Sequence, residues 1–352
     1  RKGEVLLHHP YQSFGPVVDL IRQAAADPDV LAIRQTVYRT GMDSPMAEAL
    51  LDAARSGKEV TAVIELRARF DEAANIELAT RLQEAGAKVV YGVVGYKAHA
   101  KMLLIVRREA GEMVRYVHLG TGNYHSSTAR AYTDFGLMTS DQKIGEDVHD
   151  VFQQLTGVCK AQPLKRCIQT PFDLHARLLE MIVAEAAAAA AGEEARIIAK
   201  MNSLIEPEII RALYQASIAG VQVDLLVRGV CCLRPGVPGV SENIRVRSVV
   251  GRFLEHHRVF HFHAGGEEET YCSSADWMPR TFFRRVELAF PIRNKKLRRR
   301  VIEEALQAML DDNYNAWQMN SDGSYDRSRR GPDENRNSGQ DALMQQLALT
   351  HG

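Results

Sequence analysis

The stretch ALLDAARSGKEVTAVIEL, residues 49–66, decides the fold. Its first half has the apolar spacing of an amphipathic helix, Gly57 interrupts the pattern, and the apolar run Val60–Leu66 is typical of a buried strand. The stretch RALYQASIAGVQVDLLVR, residues 211–228, repeats this order of helix, glycine and strand. A helix followed by a buried strand predicts an α/β fold built from βαβ units.

A second pair of segments extends the repeat. AKVVYGVVGYKAHAK, residues 87–101, aligns with NIRVRSVVGRFLEHHR, residues 243–258. The copies lie roughly 160 residues apart, which indicates a duplicated domain and not a short solenoid repeat. The sequence therefore predicts two related α/β halves with mixed, mainly parallel sheets.

Each half carries a histidine two residues before a basic residue. Residues two apart in a strand point to the same face, so His99 and Lys101 are expected to share one. A neutral imidazole can attack phosphorus while a neighbouring cation holds a phosphate oxygen. His256 and Arg258 repeat the pattern at the matching point of the second half. A lone triplet of this kind is common by chance, but its repetition predicts a phosphoryl-transfer site.

A glycine-containing loop follows the first histidine motif. In Gly120–Asn123 (GTGN) two glycines would let backbone N–H groups approach an anion, and Asn123 is placed to orient a ring nitrogen. Ser273–Trp277 (SSADW) stands at the same place in the second half.

Bulk composition excludes some classes of function. Lys plus Arg and Asp plus Glu number 44 each, so global charge favours neither nucleic acid nor a membrane surface. Five cysteines without a CxxC pair indicate reduced thiols in the cytosol. No signal peptide or apolar run long enough to span a bilayer is visible. The start at Arg1 suggests a fragment that lacks an N-terminal part.

The chain also shows where its domains should begin and end. An Ala-rich stretch, Phe172–Ala191, predicts a long packing helix between the halves. The stretch from Asn320 to about Gln340 is rich in Ser, Asp, Arg, Asn and Gly, which predicts disorder, with a short helix over Ala342–Leu349. The predicted divisions are a first catalytic domain over 1–165, a second over 166–319 and a largely disordered tail over 320–352.

The paired histidine motifs resemble those of the phospholipase D superfamily. There, two HxK motifs meet across a pseudo-twofold axis, one histidine becoming the covalent phospho-enzyme and the other acting as general acid. That superfamily has an aspartate five positions after the lysine, where this chain has Val106. The second half has Arg258 for the lysine and His263 for the aspartate. These departures argue against a phospholipase or a nuclease.

A closer resemblance is to the larger, phosphohistidine-type bacterial polyphosphate kinases. It rests on eight segments in the family's order, up to about Asn320: RQTVYRT, ELRARFDEAANI, KAHAKM, HLGTGNYH, YTDFGLMT, RGVCCLRPGVPG, RFLEHHRVFHF and SSADWMPR. The resemblance is to the family's two C-terminal catalytic domains, which implies two phospholipase D-like domains related by a pseudo-twofold. It also implies reversible transfer of the ATP γ-phosphate to polyphosphate, with Mg²⁺ as cofactor. Further implications are ATP or ADP and polyphosphate as partners, a homo-oligomer, and a cytoplasmic protein that in some relatives associates peripherally with membrane.

The resemblance also implies residue roles. His99 would be the phosphorylated nucleophile, and His256 a proton donor or nucleotide-phosphate contact. The other implied residues are Tyr132 and Arg228 at the nucleotide, Arg39 and Arg69 at the magnesium–phosphate site, and Lys101, Asn123 and Arg258 as supporting phosphate contacts. Arginine does not ligate cations, so Arg39 and Arg69 are interpreted as phosphate clamps beside a magnesium held by the substrate.

Alternatives stay open at this point. The chain could bind nucleotide and polyphosphate without turnover, or it could be a phospholipase D-like phosphodiesterase. Zinc at the cluster His256, His257, His261 and His263 is not favoured, because no cysteine or carboxylate spacing completes a site. The basic run Arg293–Arg300 is interpreted as a solvated face, as a path for exiting polyphosphate or as an oligomer contact with an acidic patch. The other histidines considered are predicted to be ordinary structural or surface residues: His118, His125, His149 and His175.

Overall fold

The structure is a computed structural model that describes residues 3–38, 44–65, 72–92, 95–328, 331 and 334–348. The chain divides into two compact units. Unit 1 contains Arg1–Phe172 and a short return segment, Arg284–Leu288, and unit 2 contains Asp173–Phe283 and Ala289–Gly352. The domain boundaries predicted above remain predictions, and they do not include the return segment.

Unit 1 is a mixed sheet flanked by helices. Its elements are β1 (Val5–His9), α1 (Gly15–Ala26), β2 (Val30–Val37), α2 (Pro45–Arg55), β3 (Glu59–Ile64), α3 (Glu72–Glu84), β4 (Lys88–Val90), β5 (Lys97–Ala98), β6 (Lys101–Glu109), β7 (Glu112–Gly120), β8 (Tyr132–Thr139), α4 (Gln142–Leu155) and β9 (Ile168–Gln169). The strand order is β1-β8-β7-β6-β2-β3-β4. Strands β2, β3 and β4 are parallel, whereas β6, β7, β8 and β1 continue the sheet in antiparallel pairs.

Apolar patterning explains the centre of unit 1. In β3 every residue from Val60 to Ile64 is buried, as expected for a parallel strand covered on both faces. Helix α2 begins after Ser44 with a proline in its first turn and buries Met46, Leu50 and Leu51 against the sheet. Such burial stabilises the fold by about 1.5–3 kcal/mol for each large side chain.

Unit 2 repeats the central topology. Its elements, with the return segment, are α5 (Leu174–Ala190), β10 (Arg196–Met201), α6 (Pro207–Ile218), β11 (Gln222–Val227), β12 (Ile244–Val249), β13 (Leu254–Glu255), β14 (Arg258–Phe262), β15 (Glu269–Ser273), α7 (Pro279–Arg284), β16 (Arg285–Val286), β17 (Leu288–Pro291), α8 (Lys295–Val301), a π-helical turn (Ile302–Gln307), α9 (Ala308–Leu310), β18 (Ala316–Met319), β19 (Tyr325–Arg327) and α10 (Gly339–Ala348). The strand order is β19-β18-β12-β11-β10-β14-β15-β17.

The matching strand orders confirm the predicted duplication. The run β14-β10-β11-β12 in unit 2 corresponds to β6-β2-β3-β4 in unit 1, with the same parallel and antiparallel pairings. In each unit the histidine motif leads into the strand that lies antiparallel to the first strand of the βαβ unit. Both sheets are mixed, as the sequence predicts.

Two stretches differ from the sequence-based prediction. The apolar run Val286–Ile292, which has the pattern of a single buried strand, belongs to two strands, because the Thr170 hydroxyl donates to the Arg285 carbonyl (2.7 Å) and accepts from the Glu287 N–H (2.9 Å). The stretch after Asn320 is more ordered than its composition indicates, since it contains β19 and α10. Helix α10 includes most of the short helix predicted over Ala342–Leu349, and it buries Leu343 and Leu347.

The long helix and the cysteines follow their predictions. Helix α5 spans Leu174–Ala190 and buries one stripe of apolar residues that includes Leu178 and Ile182. All five cysteines are free thiols. Within the described ranges, no helix has both the length and the apolar character needed to cross a bilayer.

The glycines of the 120–123 loop have a structural cause. A Cβ on Gly122 would lie 2.0 Å from Asp134 Oδ2, so a side chain cannot be accommodated there. The Thr121 hydroxyl donates to Asp134 Oδ1 at 2.7 Å. The loop therefore closes on a carboxylate of the protein itself, which explains Gly122 without a bound anion.

We expect Gly122→Ala to lower the free energy of unfolding by about 1–3 kcal/mol, because it overpacks the loop against Asp134. In an Asp134→Ala background the same substitution should cost less, since the two positions are coupled. Urea denaturation of the four variants measures the coupling. An equal cost in both backgrounds would contradict this explanation of the glycine.

Candidate functional site

The backbone at His99 is fixed by the return segment. The N–H groups of His99 and Ala100 both donate to the Val286 carbonyl at 2.9 Å. Strands β5 and β16 run parallel just before this point, with Ala98 opposite Val286. His99 thus lies just before β6, and these hydrogen bonds fix the position of its main chain.

The ring of His99 is held by a buried carboxylate. His99 Nδ1 lies 2.8 Å from Glu287 Oε2 and 2.7 Å from Oε1. The Glu287 side chain is 0% exposed, and that of His99 is 13% exposed. Arg285 Nη1 lies 3.6 Å from Glu287 Oε1. Glu287 was not among the sequence candidates, although a single carboxylate inside the apolar run Val286–Ile292 is the signal that points to it.

The electrostatics favour a neutral ring on an ionised partner. Burial lowers the pKa of His99 to about 3, against the Glu287 carboxylate, which raises it, and with Lys101, which lowers it further. Burial alone would raise the pKa of Glu287, but His99, Lys101 and Arg285 bring it below its usual value. The two pKa shifts disagree about the ring, because the lowered pKa of His99 means a neutral imidazole, whereas part of the lowering at Glu287 comes from a charged one. We infer a neutral imidazole because the ring is buried. The Glu287 carboxylate stays ionised because Lys101 and Arg285 stabilise its charge.

This arrangement sets the tautomer of His99. An ionised carboxylate only accepts hydrogen bonds, so the proton of the neutral ring must be on Nδ1. Nε2 then carries the lone pair, and it makes no hydrogen bond to any residue that the structure describes. A neutral imidazole with a free Nε2 lone pair is a nucleophile.

Lys101 lies beside the histidine as predicted. It is buried, its ammonium donates to the His99 carbonyl, and it lies 5.3 Å from the centre of the Tyr38 ring. The Tyr38 ring meets the His99 ring edge-on, with centroids 4.7 Å apart. A buried cation next to a nucleophile is suited to an anionic ligand such as a phosphate.

His256 has a different partner. Arg258 Nη1 lies 3.3 Å from His256 Nε2, and Arg258 Nη2 donates to Asp276 Oδ2 at 2.8 Å. Arginine has no acceptor, so Nε2 of His256 accepts here and carries no proton. Burial would raise the pKa of Asp276, but Arg258 and the Asn202 N–H bring it to about 2. The second motif is therefore a histidine–arginine–aspartate chain.

Asn202 joins this chain to Arg228. Its Oδ1 accepts from Arg228 Nε at 2.9 Å, and its Nδ2 donates to the His256 carbonyl at 2.9 Å and to Asp276 Oδ1 at 3.2 Å. Asn202 follows β10 and Arg228 follows β11, so both lie at the carboxyl ends of parallel strands, where α/β sheets bind ligands. The sequence search missed Asn202, which lies beside no histidine in the chain, and it gave no role to Asp276, although it singled out the segment Ser273–Trp277 that contains it.

The remaining candidates lie apart from these two hydrogen-bonded groups or outside the described residues. Tyr132 is the first residue of β8 and is half-buried. Asn123 follows β7, and its Oδ1 is buried without a hydrogen-bond partner among the described residues. Arg39 and Arg69 lie outside the described residues.

The histidines predicted to be structural have protein partners. His118 is buried with Nδ1 2.9 Å from the Tyr124 hydroxyl, and burial lowers its pKa to about 3. His175 Nε2 lies 3.2 Å from Glu206 Oε2 and 3.7 Å from Glu208 Oε2, and these three side chains could hold a metal ion. No contact of this group with His256 or Arg258 is seen in the described structure, so it is separate from the histidine motifs.

Structural comparison defines the class of fold. A phosphatidylserine synthase from Haemophilus influenzae superimposes with a TM-score of 0.59 at 10% identity, over 99% of this chain and 92% of that one. At this identity the match shows a common two-domain α/β fold and nothing about activity.

Sequence comparison then gives the family. Polyphosphate kinase C-terminal domain 1 matches residues 1–161, and C-terminal domain 2 matches residues 167–340. Polyphosphate kinases from Burkholderia cenocepacia and Paraburkholderia phytofirmans are 66% and 64% identical over 333 and 334 residues, 94% of this chain in each case. A crystal structure of polyphosphate kinase from Porphyromonas gingivalis superimposes with a TM-score of 0.92 at 38% identity, over 99% of this chain and 53% of that one.

The chain therefore belongs to the polyphosphate kinase family. It matches the two C-terminal domains of that family and spans about half the length of the curated relatives, 48% and 49% for the two named.

We expect His99 to be neutral at pH 7 with its proton on Nδ1, because its pKa is lowered to about 3 and Glu287 accepts from Nδ1. Long-range ¹H–¹⁵N NMR of the imidazole distinguishes the two nitrogens. His99→Ala assigns the signal. A proton on Nε2, or an imidazolium at pH 7, would contradict the geometry.

Proposed function

We propose that the chain catalyses reversible transfer of the ATP γ-phosphate to polyphosphate through a phosphohistidine at His99. The observation that carries this proposal is the contact of His99 Nδ1 with the buried Glu287 carboxylate at 2.8 Å, which leaves Nε2 as the attacking nitrogen. Membership of the polyphosphate kinase family supports the choice of ATP and polyphosphate as substrates.

The first step of the proposed reaction is attack of His99 Nε2 on the γ-phosphorus. The bond from that phosphorus to the β,γ-bridging oxygen breaks, and ADP leaves with the electron pair. The ring becomes positively charged as the N–P bond forms, and Glu287 stabilises that charge through Nδ1–H. Lys101 and Arg285 offset the negative charge of the transferring group, which matters most in a loose transition state.

The second step returns the ring to its starting state. A terminal phosphate oxygen of polyphosphate attacks the phosphorus, the N–P bond breaks, and Nε2 recovers its lone pair. The chain grows by one phosphate and His99 is regenerated. The same steps in reverse make ATP.

We propose that the second motif serves the nucleotide. Arg228 and Arg258 are suited to phosphate oxygens, and Tyr132 to stacking on the base. Nε2 of His256 accepts a hydrogen bond from Arg258, so it has no proton to donate. The geometry of His256 therefore suits a contact with the nucleotide phosphates better than a role as proton donor from Nε2. We propose Arg39, Arg69 and Asn123 as further phosphate contacts.

Magnesium is proposed to enter with the nucleotide. The described side chains around His99 supply N–H donors and one carboxylate already bound to the ring, which is not the oxygen cage that Mg²⁺ prefers. Phosphate oxygens of the substrate would be its main ligands, and the cation would neutralise their charge.

We also propose a cytoplasmic, homo-oligomeric protein with peripheral membrane association. The five free thiols support the compartment. The oligomer and the membrane association rest on the family resemblance alone.

Incubation with γ-labelled ATP should give an acid-labile, base-stable label on the chain, lost in His99→Ala. His149→Ala is the matched control, because His149 has no part in the proposed reaction and its ring forms a hydrogen bond only with the part-buried Gln153 among the described residues. Nucleotide binding without label would favour the non-catalytic alternative. Cleavage of a phosphodiester that also depends on His99 would favour the phosphodiesterase.

Glu287→Gln should lower the rate of phospho-enzyme formation by about 10² or more, because it removes the charge that stabilises the phosphorylated ring. Glu180→Gln, at an exposed position, should have no effect. Single-turnover kinetics separate this loss from any change in ATP affinity. A rate of phospho-enzyme formation within about twofold of that of the parent chain would argue against the role given to Glu287.

A further inference from the structure

A buried polar cluster lies behind His256. It consists of Lys200 on β10, Glu255 on β13 and Gln340 on α10, each nearly free of solvent contact. Burying a lysine and a glutamate together is costly unless their hydrogen bonds are made. None of the three has a part in the proposed reaction, so their burial needs another explanation.

Lys200 is fully engaged. Its ammonium donates to Glu255 Oε2, lies 3.1 Å from His257 Nε2 and donates to the Ala305 carbonyl at 3.3 Å. An ammonium has three N–H donors, and these contacts account for all three. Lys200 therefore joins β10 to both neighbours of His256 in the chain.

Gln340 closes the cluster from the C-terminal helix. Its Oε1 accepts from the Phe253 N–H at 2.9 Å, and its Nε2 donates to the Phe253 carbonyl at 2.9 Å and to Glu255 Oε1 at 2.6 Å. The side-chain amide of Gln340 thus forms hydrogen bonds with both the N–H and the carbonyl of Phe253, as the backbone of a neighbouring strand would. Its second N–H donates to the Glu255 carboxylate.

Two glycines allow this approach. A Cβ on Gly251 would lie 2.5 Å from Gln340 Oε1, and a Cβ on Gly339 would lie 2.5 Å from the Ala308 carbonyl. The missing side chain at Gly339 allows α10 to approach the backbone at Ala308, and the missing side chain at Gly251 leaves room for the Gln340 amide. Leu343 and Leu347 bury its apolar side.

The cluster and the His256 motif are connected at the carboxyl end of β10. Lys200 and Asn202 are two residues apart, and Asn202 donates to the His256 carbonyl. The segment 253–257 is consequently held at Phe253 and Glu255 by Gln340, at Glu255 and His257 by Lys200, and at His256 by Asn202.

We infer that Gln340 is a positioning residue, through which docking of α10 fixes segment 253–257 and so the ring of His256. The importance of Gln340 for catalysis rests on the proposed function of His256. The claim that Gln340 fixes the position of the His256 ring rests only on the hydrogen bonds described above. Without the Gln340 amide, Glu255 Oε1 and both polar groups of Phe253 lose the hydrogen bonds that Gln340 makes to them, and the segment gains freedom where His256 is attached.

Gln340→Met, of similar shape, tests the inference against Gln346→Met, the same change at an exposed position of α10. Long-range ¹H–¹⁵N NMR of His256 is the readout, because its Nε2 contact with Arg258 reports ring placement. We expect shifted or broadened His256 signals in Gln340→Met alone. Unchanged signals, with faster hydrogen exchange at Phe253 to show that the amide contact is lost, would overturn the inference.

If Gln340→Met fails to fold, Gln340→Asn keeps the amide but is one methylene too short to reach both Phe253 and Glu255. The same shift of the His256 signals is expected. Polyphosphate synthesis by the chain should fall about tenfold or more in either variant and stay unchanged in Gln346→Met, since small misplacements of catalytic groups are costly. Shifted signals with normal synthesis would support positioning by Gln340 and reject the role proposed for His256.

Discussion

The hydrogen bond between His99 and Glu287 is the constraint on which the rest of the first site depends. A carboxylate with no solvent access must be paired, and here its partners are the ring of His99 and the nearby cations Lys101 and Arg285. The same bond decides which nitrogen of His99 keeps its proton. The return segment brings Glu287 to His99 although the two residues are 188 positions apart in the chain, so the tautomer depends on tertiary structure.

The two units have the same central strand topology, but the histidine of each motif has a different neighbouring side chain. In unit 1 the histidine at the start of the antiparallel strand meets a carboxylate, which favours a nucleophilic Nε2. In unit 2 the equivalent histidine meets an arginine, which occupies Nε2. The duplication therefore supplies a common backbone, and the identity of one neighbouring side chain sets the chemistry of each ring.

The sequence predicts the helices and strands of the βαβ units, the duplication and the pairing of His99 with Lys101, because these depend on local periodicity and short spacing. It does not reveal Glu287 or Asn202, which reach the histidines from distant parts of the chain, and it singles out the segment of Asp276 without giving that residue its role. It also assigns the glycines of GTGN to an anion, whereas Gly122 makes room for Asp134. The order of the tail was underestimated because Gln340, a polar residue, is buried by hydrogen bonds that composition cannot show.

The central claim is that Nε2 of His99 carries the transferred phosphate. Its most direct test is to phosphorylate the chain with ATP and locate the phosphate by ³¹P NMR together with mass spectrometry of the modified peptide. The account predicts one phosphate, on Nε2 of His99. Phosphate on Nδ1 of that ring, or on another residue, would contradict it.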